Sequence, residues 1–386
     1  MILQNVQIVG GHGASNILVN SEKIRSVTPV NKPVNVQWDE TSVEFENALA
    51  FPGLINSHDH LDFNLFPLLG NRIYHNYTEW GKDIHDNNKE DIHAVLKIPA
   101  ALRVQWGMYK NLLNGVTTVA NHGKQLEIND PFITVLQGCC SLHSVAFERN
   151  WKYKLNKLFN AETAYVMHIG EGTDAMAQQE IKTLLRWNLF NRNLIGIHGV
   201  AMDAADASRF KAIVWCPASN FFLLNATASI DKLKQETQIL FGTDSTLTAG
   251  WNIWDHLRLA RSKQLMNDDE LFAAVTKNAA DVWGLNSGRL MADSTADIVI
   301  ARNRNAYDQW DAFYGLNPAD ILLIVKAGVI VLFDKTLQRQ LLRQELLSDT
   351  YNAIHLCGKT KFVIGELPTL ATTIKKYHAG IVFPFE

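Results

Sequence analysis

Ala48-Leu49-Ala50-Phe51-Pro52-Gly53-Leu54-Ile55-Asn56-Ser57-His58-Asp59-His60-Leu61-Asp62 reads as an apolar strand that runs straight into two histidines and two aspartates. Later apolar runs close in the same way: Ala164-Tyr165-Val166-Met167-His168, Leu194-Ile195-Gly196-Ile197-His198 and Gln238-Ile239-Leu240-Phe241-Gly242, the last followed by Thr243-Asp244-Ser245. Gly115-Val116-Thr117-Thr118-Val119-Ala120 and Ala212-Ile213-Val214-Trp215 are two more strands of this kind. Between them lie helical stretches, among them Ile92 to Leu113, which Pro99 breaks, and Asp268 to Trp283. Strands alternating with helices predict a parallel sheet, and over this length a TIM-like (β/α) barrel. In such a barrel the carboxyl ends of all strands meet on one face, so residues far apart in sequence converge.

The two ends of the chain read differently. Val6 to Val9, Asn16 to Val19 and Lys23 to Val27 are short strands, with Gly10-Gly11-His12-Gly13 as a hairpin turn and not a phosphate loop, since no amphipathic helix follows it. Beyond Gly288, strands return at Ala296 to Ala301, Leu322 to Lys326, Val329 to Phe333 and Lys361 to Ile364, with Lys326-Ala327-Gly328 as a turn. The expected organisation is α/β: a barrel over 51–291 and a small β-sandwich built from 1–50 and 292–386.

With 386 residues, 47% apolar and 19% charged, the chain can bury a deep site and carries no disordered composition. A net charge of −3 without a basic block gives no electrostatic case for nucleic acid or for an anionic membrane surface. The four cysteines form no C-x-x-C pair, and no run of apolar residues is long enough for a membrane span, so the expectation is a soluble cytoplasmic protein.

His58 and His60 lie two apart, which puts both on one face of a strand, able to grip one ion; Asp59 points the other way. A catalytic metal takes three or four imidazole or carboxylate ligands and leaves a position for water, and His58, His60, His168 and Asp244 meet that count. Glu171, just past His168, is the natural proton shuttle, taking a proton from the attacking water and returning it to a leaving nitrogen. His198 would polarise a substrate carbonyl or ring nitrogen, or support the developing hydroxide, and Asp244 could double as a base. Singly, each has a plainer explanation: a core histidine, a carboxylate at a helix start, an ordinary turn at Gly242-Thr243-Asp244-Ser245. Together they close successive strands of one αβ region, which the plainer explanations do not account for.

Read in order, Phe51 to His60, Gly115-Val116-Thr117-Thr118-Val119, His168-Ile169-Gly170-Glu171, Ile197-His198-Gly199, Cys216-Pro217-Ala218-Ser219-Asn220 and Phe241-Gly242-Thr243-Asp244-Ser245 resemble the amidohydrolase superfamily, in its cytosine deaminase and chlorotriazine hydrolase-like branch. Asn278-Ala279-Ala280, Ser287-Gly288-Arg289-Leu290 and Ala296 to Ile300 extend the resemblance to about residue 335. It implies one divalent metal ion, zinc ahead of iron, on His58, His60, His168 and Asp244, with Glu171 relaying protons and His198 on the reacting group. No lysine ends a convincing apolar strand, Lys152 and Lys154 sitting in a polar run, so the bridging lysine of binuclear relatives has no counterpart.

The chain also departs from this pattern. The stretch from Gly115 to His168 is short for the units it should hold, so one βα unit is expected to be abbreviated or missing, with Leu142 to Glu148 as the best strand within it. Trp215 stands where many relatives carry histidine. Trp80, Trp215, Phe221 and Trp251 are candidates for an aromatic pocket, each singly more at home in a core; Arg72 and His122 fall on rim loops, where Arg72 would suit a substrate carboxylate but reads first as a surface arginine. The tail beyond about residue 345 matches no pattern. The expected activity is metal-dependent hydrolysis of a non-peptide C–N bond, foremost deamination of an amino-substituted nitrogen heterocycle as small-molecule substrate. The alternatives are cyclic amide hydrolysis and a non-catalytic metal-binding relative; a homo-oligomer is left open as the assembly. The H-x-E with P-C-x-x-C pattern of the other zinc deaminases is absent.

Overall fold

A computed structural model describes residues 1–32, 41–128, 131–158, 164–305, 307–343, 345–347 and 350–386. The first strands are β1 (Ile2–Ile8), β2 (Ala14–Asn20), β3 (Lys23–Pro29) and β4 (Ser42–Pro52). The middle of the chain supplies β5 (Leu54–Asp59), β6 (Val116–Asn121), β7 (Thr134–Leu136), β8 (Cys140–Ser144), β9 (Tyr165–Ile169), β10 (Leu194–His198), β11 (Ala212–Trp215) and β12 (Gln238–Phe241). The last are β13 (Ile298–Arg302), β14 (Ile321–Lys326), β15 (Val329–Asp334), β16 (Tyr351–Leu356) and β17 (Lys359–Ile364).

The middle strands form two parallel sheets, β5-β6-β7 and β12-β11-β10-β9-β8. β5, β6, β9, β10 and β11 are buried along their whole length, which is why they read as continuous apolar runs and not as alternating ones. The backbone N–H groups of Thr243 and Asp244 both donate to the carbonyl of His58 at 3.1 Å, tying the end of β12 to β5 across the two sheets. Gly242 makes that approach close: a Cβ there would lie 2.7 Å from the Cβ of His58.

The short stretch before His168 keeps its strands and, among the described residues, one short helix, Trp151–Leu155, ahead of β9. β7 and β8 are separated by residues 137–139 alone, and no helix stands between β6 and β8 among the described residues. β8 falls at Cys140–Ser144, a little earlier than the run starting at Leu142, and β7 was not legible at all. Its side chains are only half-buried, so it lacks the apolar run that marks the others.

Strands from both chain ends share one nine-stranded sheet, in the order β16-β17-β15-β14-β13-β4-β1-β2-β3. β1 and β2 pair antiparallel through the glycine turn, Gly10 and Gly13 having φ of 77° and 72°, and β14 and β15 pair antiparallel through Ala327 and Gly328 at 46° and 81°. The unread tail adds β16 and β17 to this sheet, then the helix Leu367–Tyr377, after which Phe385 and Glu386 pair back onto β16.

The helical expectation over Ile92 to Leu113 is met by two helices broken at Pro99, α2 (Lys89–Leu96) and α3 (Ala100–Leu113), which follow α1 (Tyr77–Asn87). The single helix expected over Asp268 to Trp283 is also two, Asp268–Ala274 and Lys277–Trp283. Thr276 breaks it, with a non-helical backbone and its hydroxyl donating to the Phe272 carbonyl at 2.6 Å. Among the described residues no helix is long and apolar enough to cross a membrane.

Candidate metal centre and active-site cavity

The strand ends bring the predicted residues together. His58, His60 and His168 form one group in which a ligand atom of each lies within 4.8 Å of the others, and His58, His198 and Asp244 form a second. His58 Nε2 and His60 Nε2 lie 3.6 and 3.7 Å from Asp244 Oδ1, and the Nε2 atoms of His60 and His168 are 3.4 Å apart. His198 and Asp244 close their strands with φ of 72° and 57°, a left-handed backbone that non-glycine residues rarely adopt and that often marks a functional position.

His168, His198 and Asp244 are each aimed by partners behind them. The carbonyl of His143 accepts from His168 Nδ1 at 2.9 Å, and Asn220 Oδ1 accepts from His198 Nδ1 at 2.8 Å. A hydrogen on Nδ1 leaves the Nε2 lone pair of both rings facing the centre. Asp244 Oδ2 accepts from the hydroxyls of Ser219 at 2.8 Å and Thr248 at 2.9 Å, while Oδ1 accepts from the Ser245 N–H at 2.8 Å. Asp59 does point away, and its carboxylate accepts from Lys110 Nζ at 3.1 Å, Asn111 at 2.7 Å and Asn64 at 2.8 Å.

The protonation tendencies favour metal binding. Burial first, and then the neighbouring imidazoles, push His60 down to about 3 and His168 well below the ordinary value; burial also pushes His198 down to about 4. Neutral rings at His60 and His168 are what a cation needs of its imidazole ligands. Burial would raise the carboxyl of Asp244, but His58 and the field of the other histidines outweigh it and hold Asp244 well below the carboxylate range. Both ring nitrogens of His58 and Nε2 of His198 are buried without a hydrogen-bond partner, and buried polar atoms are rarely left so unless something absent from the protein atoms takes them up. The donor set of imidazoles and one carboxylate therefore fits a divalent ion with nitrogen and oxygen preference.

Glu171 stands beside this group, its Oε1 3.5 Å from His198 Nε2. Burial, then the fields of Asp244 and Glu180, raise its carboxyl well above the ordinary range, so it holds a proton readily. A cavity of about 590 Å³ opens from His60, His168, Glu171, His198 and Asp244 towards α1.

The plainer readings of the aromatic candidates and of Arg72 mostly hold, and the placing of His122 is corrected. Of the four aromatic candidates only Trp80 lines the cavity. Trp215 is fully buried in the core, its indole N–H donating to Thr227 at 2.7 Å; Trp251 packs against the same core, and Phe221 lies under the Lys263 ammonium at 4.4 Å. Arg72 is exposed and paired with Glu79 at 2.9 Å and Asp83 at 3.6 Å, so it braces α1 and does not reach the cavity. His122 is not on a rim loop: it is buried, with ring centroids 5.3, 5.4 and 4.4 Å from His58, His60 and His168.

Sequence reasoning missed Lys110, His143 and Asn220. Asn220 lay inside a quoted motif; His143 stood near the start of the strand expected over Leu142 to Glu148, and only the observed β8, Cys140–Ser144, puts it near a strand end. Lys110 carried no signal, because a lysine in a helix ordinarily reads as solvent-facing.

The chain matches the amidohydrolase family over residues 157–331. It is 24% identical to the 5-methylthioadenosine/S-adenosylhomocysteine deaminase of Caldicellulosiruptor saccharolyticus over 382 residues, covering 83% of this chain and 89% of that protein. In fold it is similar to an adenosine deaminase from Xanthomonas campestris with bound zinc, at a TM-score of 0.72, 14% identity and 98% of both chains. It is also similar to the zinc complex of atrazine chlorohydrolase from Arthrobacter aurescens, at a TM-score of 0.66, 16% identity, 89% of this chain and 99% of that one.

Proposed function

Since this chain belongs to the amidohydrolase superfamily, we propose that it is a metal-dependent hydrolase that deaminates an amino-substituted nitrogen heterocycle. The observation that carries the reading is the placing of the buried Glu171 carboxyl beside His198, on the face where His58, His60, His168 and Asp244 converge.

His58, His60, His168 and Asp244 would hold one divalent ion, zinc by the likeness to zinc-bearing structures. Bound there, the ion would lower the pKa of the attacking water. Glu171 takes the proton that the water loses as its oxygen adds to the C–NH₂ carbon. The raised proton affinity of its buried carboxyl suits it to hold that proton and then pass it to the amine, which leaves as ammonia while the carbon keeps the oxygen. His198, fixed by Asn220, supports the added oxygen through Nε2. Asp244 stays ionised and stays a ligand, because Ser219, Thr248 and the Ser245 N–H occupy its remaining acceptor positions.

In the same reading the eight parallel strands close into one barrel through the β12 to β5 contact, and the nine-stranded sheet of the two chain ends is the accompanying sandwich. Zinc-loaded protein assayed for ammonia release on aminopurines and aminotriazines tests the activity. The expected result is turnover that Glu171→Gln abolishes at unchanged zinc content; turnover unaffected by that substitution would refute the assignment.

A further inference from the structure

The cavity has a floor, a wall and a rim. The floor holds the metal-ligand candidates and Glu171, with Ser245 and Thr248 beside Asp244, and the rim holds Lys82 and His85 on the exposed side of α1. Between them the wall is formed by Phe63, Tyr77, Trp80, Ile84, Phe147 and Leu247.

The polar ends of the wall and of its neighbour Thr78 are turned into the protein. The Tyr77 hydroxyl donates to Glu180 at 2.6 Å, the Trp80 indole N–H to the Leu69 carbonyl at 2.7 Å, and the Thr78 hydroxyl to Asn76 at 2.6 Å. These residues therefore show the cavity their apolar parts. His143 is the exception. Its ring lies 5.2 Å from that of His168 and 5.5 Å from that of Phe147, between floor and wall. Its Nδ1 meets the Ser144 hydroxyl at 3.3 Å, and its Nε2 has no partner among the described residues. Among those residues the cavity is lined by no arginine, asparagine or glutamine, and its carboxylates are Glu171 and Asp244, both on the floor.

We propose that this cavity selects amino heterocycles carrying an uncharged apolar substituent, an alkyl, thioether or aryl group, and that His143 is the specificity-determining residue that hydrogen-bonds the ligand between the reacting carbon and that substituent. The proposal rests on the deaminase reading of the floor. A hydroxylated substituent such as a sugar brings several donors and acceptors against a wall whose own polar groups are already paired, and a buried polar group without a partner disfavours binding. An apolar substituent loses nothing there and gains contact with four aromatic rings.

The test uses metal-replete protein and two series, 6-aminopurines and amino-s-triazines, each carrying butyl, benzyl, ribosyl or phosphoribosyl on the same ring position. On at least one ring the apolar members are expected to exceed the ribosyl member in kcat/KM by about tenfold or more. His143→Ala should remove that factor, and His143→Gln restore part of it, at unchanged metal content. Equal rates, a preference for ribosyl or phosphoribosyl members on both rings, or an unaffected His143→Ala variant would overturn the proposal; a phosphoribosyl preference would assign selection to Lys82 at the rim. Binding of both series to Glu171→Gln, followed by titration calorimetry, separates the two readings. No turnover with tighter binding of the apolar members removes the deaminase reading and keeps the cavity assignment, whereas no binding of either series removes the cavity assignment.

Discussion

Lys110 Nζ lies 3.1 Å from Asp59 Oδ2, both side chains buried, directly behind the strand end that carries His58 and His60. The same ammonium donates to Asn64 Oδ1 at 2.8 Å and lies 3.5 Å from the carbonyl of Asp244. Asn56 completes the link, its Nδ2 donating to Thr243 Oγ1 at 2.8 Å while its Oδ1 accepts from the Thr243 N–H at 3.1 Å. One polar cluster therefore holds together the ends of β5 and β12, which supply three of the four ligand candidates.

Lys110→Met leaves Asp59 buried without its cation, and breaking one side of a buried pair costs about 3–5 kcal/mol. Asn111 and Asn64 still donate to Asp59, so the loss should fall at the lower end of that range. Because the pair aims the ligands, metal affinity should also fall roughly 10–100-fold. Chelator competition alongside thermal unfolding checks both; a loss of stability with unchanged metal affinity would leave Lys110 a purely structural lysine.

Gly242 packs against the same strand end. A methyl there would meet His58 Cβ at 2.7 Å, Val214 Cγ1 at 2.9 Å and Cys216 Sγ at 3.1 Å. None of these is the free end of a flexible chain, so Gly242→Ala should cost about 1–3 kcal/mol by overpacking and push His58 off its position. Gly250→Ala, where nothing lies within 4 Å, is the matched control and should change neither melting temperature nor metal content.

What could be read from the sequence follows physical locality. His58, His60, His168, His198 and Asp244 were legible because each closes an apolar run, and a titratable group at the end of a buried strand is an anomaly visible within a few residues. β7 was not, because no helix stands between β6 and β8 among the described residues and its half-buried residues have no contrast with the loops around them. Lys110 and Asn220 gain their meaning only from partners on other elements, Asp59 and His198, and no local pattern marks such a pairing. Trp215 is in the core that its residue type favours, its indole N–H committed to Thr227, although its place beside a motif had also made it a cavity candidate.

Glu180 makes stability depend on pH in a defined direction. Burial raises its carboxyl above the ordinary 4.5, against the hydrogen bonds from Tyr77 and the Gly170 N–H that pull it down. A carboxyl whose folded pKa exceeds its unfolded one binds more protons when folded across the interval between them. Its contribution is therefore greatest below about 4.5 and falls as pH rises through the folded pKa, levelling off once Glu180 is ionised. Glu180→Gln keeps an acceptor for Tyr77 and removes the titration. Melting temperatures of the metal-free proteins should show the variant gaining on the wild type as pH rises from 4.5, and parallel curves would rule Glu180 out as the source.

Asn220 is where the cluster behind the site can be tested in the rate. Thr227 Oγ1 receives the Trp215 indole N–H at 2.7 Å and the Asn220 amide at 3.3 Å, which orients Asn220 Oδ1 to accept from His198 Nδ1 at 2.8 Å. Asn220→Leu removes the acceptor and frees the ring to rotate or to carry its hydrogen on Nε2, the nitrogen that faces Glu171. The expected result is a fall in kcat of about 10²-fold, with KM and metal content little changed. Asn220→Asp keeps the acceptor and adds a negative charge beside His198, which favours the protonated ring and raises its pKa from about 4. If a neutral His198 is required, the acid limb of the kcat profile must then move to higher pH, while the alkaline limb stays where it is. A variant whose acid limb does not move would show that His198 contributes by occupying space and not by offering its Nε2 lone pair.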